Sequence, residues 1–176
     1  WIDELHRSSA ELAGYTVVDT TSVVVTHFQE CIRRHAHQLL SRQDVDGLLD
    51  NLKKTQPALV NELVPAQLNL GQVQRILQNL LIEGISIRNL VSILERVADS
   101  SSITKNIDEL SEQARRSIGP ELVKGYLDER GNLSAITLES WLEEELAKGL
   151  HPGMTENTLA LTPMAAQHLS FHIGKA

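Results

Sequence analysis

Aromatic residues are scarce: Phe, Trp and Tyr make up 3% of the 176 residues. So few rings give no row of stacking platforms for bases. The net charge of −7, with acids and bases interspersed, gives no basic field to hold a phosphate backbone. Nucleic acid is therefore not an expected partner. A single cysteine, Cys31, cannot build a disulfide framework and fits a reducing compartment such as the cytoplasm. No apolar run reaches the ~18 to 20 residues that span a bilayer, and no charged-then-apolar leader opens the chain. Walker loops, GxGxxG turns, GxSxG elbows and CxxC pairs are missing as well, which removes the commonest phosphate, dinucleotide, acyl-transfer and redox signatures.

What is present is aliphatic. Hydrophobic residues make up 41% of the chain and are mostly Leu, Ile, Val and Ala, the composition of packed helices. The length suffices for one fair-sized core or two small ones. The chain starts with Trp1 and enters a helical pattern almost at once, so it is expected to be a piece of something longer.

Periodicity organises the rest. "IDELHRSSAELAG" reads as a short amphipathic helix stopped by Gly14, and "YTVVD" as a strand whose partners lie elsewhere. From Thr20 to Leu40 apolar residues recur every three and four positions, which predicts one helix capped by Asp19, Thr20 or Thr21. Ser41 and Asp44 form a near capping box for a third helix, and Pro57 and Pro65 bracket a short fourth. "LGQVQRILQNLLIEG" ends at Gly84, and Ser86 is the expected cap of the next helix. The polar interval "SSSITKN" is the expected boundary and hinge. Beyond it a helix from Ser102 or Asn106 meets a kink or break at Gly119-Pro120. A turn and strand follow in "DERGNLSAITL", then a helix in "ESWLEEELAKG", a loop, a short strand in "TLAL" and a last helix from Pro163. The fold class expected is mainly α (α+β), a helical middle with small α/β pieces at both ends.

One stretch, "THFQECIRRHAHQ", holds three histidines and the cysteine. On a helix His27, Cys31 and His35 fall at i, i+4 and i+8, and i, i+4 is the spacing of two ligands of one metal ion. A metal-binding or hydrolytic protein centred on His27, Cys31 and His35 is therefore one reading. Against it, three ligands over two straight turns cannot all converge, and the HExxH arrangement is missing. His35 and His37 lie about 200° apart around a helix and cannot act together. Cys31, between Phe28 and Ile32, reads as a small hydrophobe packed in the core. Glu30 with Arg33 and Arg34 reads as a solvated ion-paired face. His168 and His172 form another i, i+4 pair, expected to be partly buried imidazole. A third reading is a plain helical scaffold.

In order, "WIDE…AGYTVVD", "TSVVVTHFQECIRRHAHQLLSRQDVDGLLDNLKKTQPALVNELVP", "LGQVQRILQNLLIEGISIRNLVSILERVAD" and "GNLSAITL" resemble the cytoplasmic C-terminal region of the FlhA/LcrD family of type III secretion export gates, the flagellar branch in particular. Ser41 departs from the glycine usual there. The resemblance implies a non-enzymatic domain without cofactor or metal, working by binding and subdomain motion. It implies export chaperones, their cargo and other export-apparatus components as partners, and a nonameric ring in the full-length protein. It places that protein in the bacterial inner membrane with this region in the cytoplasm. It also implies a division into residues 1–19, the tail of an upstream α/β subdomain, 20–100, a helical subdomain, and 101–176, the start of a truncated C-terminal α/β subdomain. Ser22 and Thr26 carry over as candidate chaperone- or substrate-binding residues, with helix capping the competing role for the hydroxyls nearby.

Overall fold

A computed structural model describes residues 1–135, 137–153 and 155–173, with the backbone alone for 172 and 173. In chain order the elements are a 3-10 turn (Glu4–His6), α1 (Arg7–Leu12), α2 (Thr20–Arg34), α3 (Ala36–Leu39), α4 (Arg42–Lys53), α5 (Pro57–Leu63), α6 (Leu70–Ile82) and α7 (Leu90–Ser101). They continue with α8 (Ile107–Ser117), α9 (Gly119–Lys124), α10 (Ser140–Gly149), strands β1 (Leu150–His151) and β2 (Thr158–Leu159), and α11 (Pro163–Ile173). The chain is mainly helical with one small antiparallel sheet among the described residues, in agreement with the expected class.

Helix starts follow local chemistry. Ser41 and Asp44 close a full capping box on α4, the Ser41 hydroxyl accepting from Asp44 N–H at 3.2 Å and Asp44 accepting from Ser41 N–H at 2.9 Å. Asn69 and Gln72 repeat the device on α6. Gly84 takes φ +73°, the left-handed turn that ends α6 and that a Cβ would strain. One aliphatic core joins α4 to α8: Val45 and Leu49, Leu63, Val73, Ile76, Leu77 and Leu80, Ile93, Leu94 and Val97, then Leu110 and Ala114. Among the described residues no aromatic ring belongs to it. Each fully buried Leu or Ile there contributes roughly 1.5–3 kcal/mol.

Several expectations change. The helix predicted from Thr20 to Leu40 stops at Arg34, and His35 turns the chain (φ −105°, ψ 12°) into the separate α3. The cause is tertiary: α3 lies on α6, where Gln74 and Gln78 side-chain amides donate to the Leu40 carbonyl at 2.9 and 3.2 Å, and Gln78 also to the His37 carbonyl at 3.0 Å. "YTVVD" is extended but pairs with no strand among the described residues. Asn89, not Ser86, caps α7, so Ser86 to Arg88 stays outside the helix. The break at Gly119-Pro120 is as predicted, between α8 and α9. "DERGNLS" makes its turn at Gly131 (φ +78°), with the isolated Leu127–Leu133 bridge beside it. The strand in "TLAL" is β2, and its partner β1 arises where loop was expected. Ile136 of the expected strand and Met154 of the expected loop lie outside the described residues.

The 100–106 interval is anchored at Ser101 and Asn106. Ser101 is fully buried and its hydroxyl donates to Gln67 Oε1, Lys105 Nζ donates to the Gln67 carbonyl at 2.9 Å, and Asn106 is 3% exposed. Both ends of the interval expected to be a hinge are thus tied to the core, because small hydroxyl and amide side chains can be buried once each finds a partner, while Ser102, Ile103 and Lys105 between them are exposed.

Candidate interaction site

The candidate site starts at Asp19. Its carboxylate caps α2, accepting from Ser22 N–H at 2.9 Å and from the Ser22 hydroxyl at 2.5 Å. The hydroxyl bond, then the amide bond, hold the Asp19 carboxyl below its ordinary 3.8. Ser22 thus serves the cap, and its side chain is still exposed. Thr26 is exposed one turn on. At 100° per residue Ser22 and Thr26 share a stripe with Gln29 and Arg33, roughly opposite Val24, Phe28 and Cys31.

That second stripe is apolar and uncovered. Phe28 is 64% exposed and Val24 61%, and α2 buries no residue. The core packing expected around Cys31 is not found, since α2 touches the rest of the fold mainly through α3 at its C-terminal end. Beside the first turn of α2 lies a cleft of about 920 Å³, walled by Trp1, Ile2, Tyr15, Val17, Val18 and Val23. Residue-by-residue reading missed this cleft. The available signal was two of the chain's six rings falling within its first fifteen residues.

The histidine stretch divides. Cys31 Sγ lies 3.6 Å from His27 Nε2, a single i, i+4 contact. His35 sits at the break after α2, and His37 belongs to α3. Among the described residues no three His, Cys, Asp or Glu side chains converge as ligands of one ion would. Glu30 accepts from Arg34 at 2.9 Å and Arg33 at 3.2 Å, and the Arg34 bond is the main cause of its lowered pKa. His168 stacks edge-on against Trp141, ring centroids 6.2 Å apart. The side chain of His172 lies outside the described residues.

A core of short aliphatic helices and an exposed α2 thus frame the site. The FHIPEP family profile matches residues 1–176 throughout. The chain belongs to the FHIPEP family. Among curated FHIPEP relatives it is 46% identical over 144 residues to the flagellar biosynthesis protein FlhA of Borreliella burgdorferi, covering 82% of this chain and 20% of that protein. To FlhA of Bacillus subtilis it is 37% identical over 175 residues, covering 99% of this chain and 26% of that protein. The chain thus spans about a quarter of the relatives it matches. Among solved structures, nonameric EPEC SctV-C superposes with a TM-score of 0.80 at 25% identity, covering 98% of this chain and 53% of that one. CdsV in the Chlamydia pneumoniae CdsV and CdsO complex gives 0.86 at 22% identity, covering 99% and 51%, a likeness of fold.

Proposed function

We propose that this FHIPEP chain is part of the cytoplasmic domain of a bacterial flagellar type III export gate, docking export chaperones and their cargo by non-covalent contact. The observation that carries the reading is the uncovered α2, with its apolar stripe of Val24 and Phe28 and its hydroxyl stripe of Ser22 and Thr26, standing beside the cleft of residues 1–23. A rigid helix offering an apolar face and a row of hydroxyls is the usual means of holding another helix or strand. The FlhA names of the relatives support the flagellar branch. The nonameric SctV-C neighbour supports a ring of nine formed by the longer protein, and the CdsV and CdsO complex supports contacts with other export components. The full-length protein sits in the inner membrane with this region on the cytoplasmic side. Ser22 and Thr26 contact the partner on the polar face of α2, opposite the apolar stripe. Bond-making chemistry has no part in the mechanism.

The test is a chimera in which these 176 residues replace the matching part of Bacillus subtilis FlhA in a strain lacking its own copy. Secretion of flagellar proteins returns with the chimera. Changing Ser22 and Thr26 together to Ala lowers both secretion and chaperone capture by about tenfold. A stably produced chimera without secretion overturns the export reading, and undiminished chaperone capture by the double variant removes these two residues from the site.

A further inference from the structure

The helix that carries the proposed docking surface is poorly anchored by itself. α2 buries no residue and meets the rest of the fold chiefly through α3, which in turn lies on α6. A helix of four residues does not hold together unaided, so α3 keeps its place only through what grips it. The apolar share of that grip is small. Leu39 is 61% exposed, and Leu40, which ends the helix, is a partly buried member of the core fringe.

The larger share is polar. Gln74 Nε2 donates to the Leu40 carbonyl at 2.9 Å, and Gln78 Nε2 donates to the carbonyls of His37 at 3.0 Å and of Leu40 at 3.2 Å. Carbonyls at the end of a helix have no amide of that helix to bond, and here two partly buried glutamines of α6 supply the donors. Gln74 and Gln78 stand one turn apart on one face of α6. A single bond would let α3 pivot, whereas two donors a turn apart fix its direction. The first turn of α8 is also fastened to a distant segment, where the C-terminal hairpin reaches back: Asn106 donates through Nδ2 to the Gly153 carbonyl at 2.6 Å, and Ile107 N–H to the Thr155 carbonyl at 2.8 Å. That helix is seated regardless, since Ile107 and Leu110 are buried in the core. α3 has no such seat.

Direction matters because α2 is a lever. Its 15 residues extend about 22 Å, so a tilt of about 20° at α3 carries the Asp19 end of the helix roughly 7 Å sideways. Ser22, at that end, would then miss a partner that a hydrogen bond of about 3 Å has to reach. We propose that Gln74 and Gln78 are positioning residues of the docking surface: through α3 they orient α2 against the helical core and so present Ser22 and Thr26 to the partner in one direction. The inference rests on the reading of α2 as the docking helix.

Two measurements test it. Cys31 is the chain's single cysteine, so together with Glu95→Cys at an exposed position of α7 it gives a spin-label pair that reports the direction of α2 in the full 176-residue chain with no partner present. Gln74→Met/Gln78→Met keeps side-chain length and removes both donors. It is expected to widen the distribution of distances between positions 31 and 95 about twofold or more, and to lower capture of purified Bacillus subtilis export chaperones by the FlhA chimera about fivefold, while α7 and α8 amides exchange at their wild-type rates. Gln74→Met/Gln78→Lys returns an N–H donor at similar reach and is expected to restore both the narrow distribution and the capture. A distribution in the double Met variant as narrow as in the wild type overturns the proposal, and so does a wide one with undiminished capture. Failure of the Lys variant to restore either quantity overturns it too, because the donor would then not be what orients α2. Faster exchange throughout α7 and α8 overturns it as well, since the glutamines would then serve the core and not the direction of α2. Failure of the docking reading is seen separately, as undiminished capture when Ser22 and Thr26 are changed, because the distance measurement involves no partner.

Discussion

Asp44 carries a carboxylate whose pKa lies below its ordinary 3.8, first because the Ser41 hydroxyl donates to it at 2.6 Å and then because Ser41 N–H does. A carboxyl depressed by folding stabilises the native state above its unfolded pKa, and that contribution disappears as the pH falls below 3.8 through the lower folded value. The Asp19 cap on α2 has the same sign. Ser41→Ala removes the cap hydroxyl of α4 and is expected to lower stability at neutral pH. It should also flatten the acid limb of the stability profile, which urea unfolding between about pH 3 and pH 7 would show. This pair was visible in the sequence because a capping box is local, three residues from end to end. The fate of His27, Cys31 and His35 was only half visible. Spacing brings the first two together, but their exposure depends on what lies across from α2, and no local pattern carries that.

Among the elements, α6 and α2 look alike in sequence, each with apolar residues every three or four positions, and differ completely in use. Leu77 and Leu80 on α6 are fully buried, while Phe28 on α2 is 64% exposed. Leu77→Ala is accordingly expected to destabilise by about 3 kcal/mol. Phe28→Ala should stay within about 0.5 kcal/mol, so any loss of partner binding by that variant is separable from folding. Urea denaturation of the two proteins side by side makes the comparison. Most element positions were legible from periodicity and punctuation, as at Gly84 and Gly119-Pro120. The turn at His35 was not, for it contains neither glycine nor proline, and two glutamines about forty residues downstream fasten the carbonyls of α3. The short β1 was equally hidden, since its partner in β2 defines it.

The whole molecule is uneven in solidity. Buried side chains are concentrated between Val45 and Ile118, whereas the 3-10 turn, α1 and α2 bury none. Backbone hydrogen bonds in residues 1–34 are expected to open locally and exchange at least about a hundredfold faster than those of α6, a gradient that a native-state exchange profile would read directly. The fold class and the aliphatic core could be foreseen because both follow from composition and period. The joining of the C-terminal hairpin to α8 could not, because Asn106 and Gly153 are 47 positions apart and Arg75 and Glu156 are 81 apart.

That junction also imposes an order on assembly. The leading amide of α8 takes its acceptor from Thr155. Until Thr155 has been synthesised, the start of this helix has water where its permanent partner will be. The start of α8 is therefore completed only after a segment about fifty residues downstream has been synthesised and folded back, so premature termination between Ser117 and Thr155 leaves its leading amide to water.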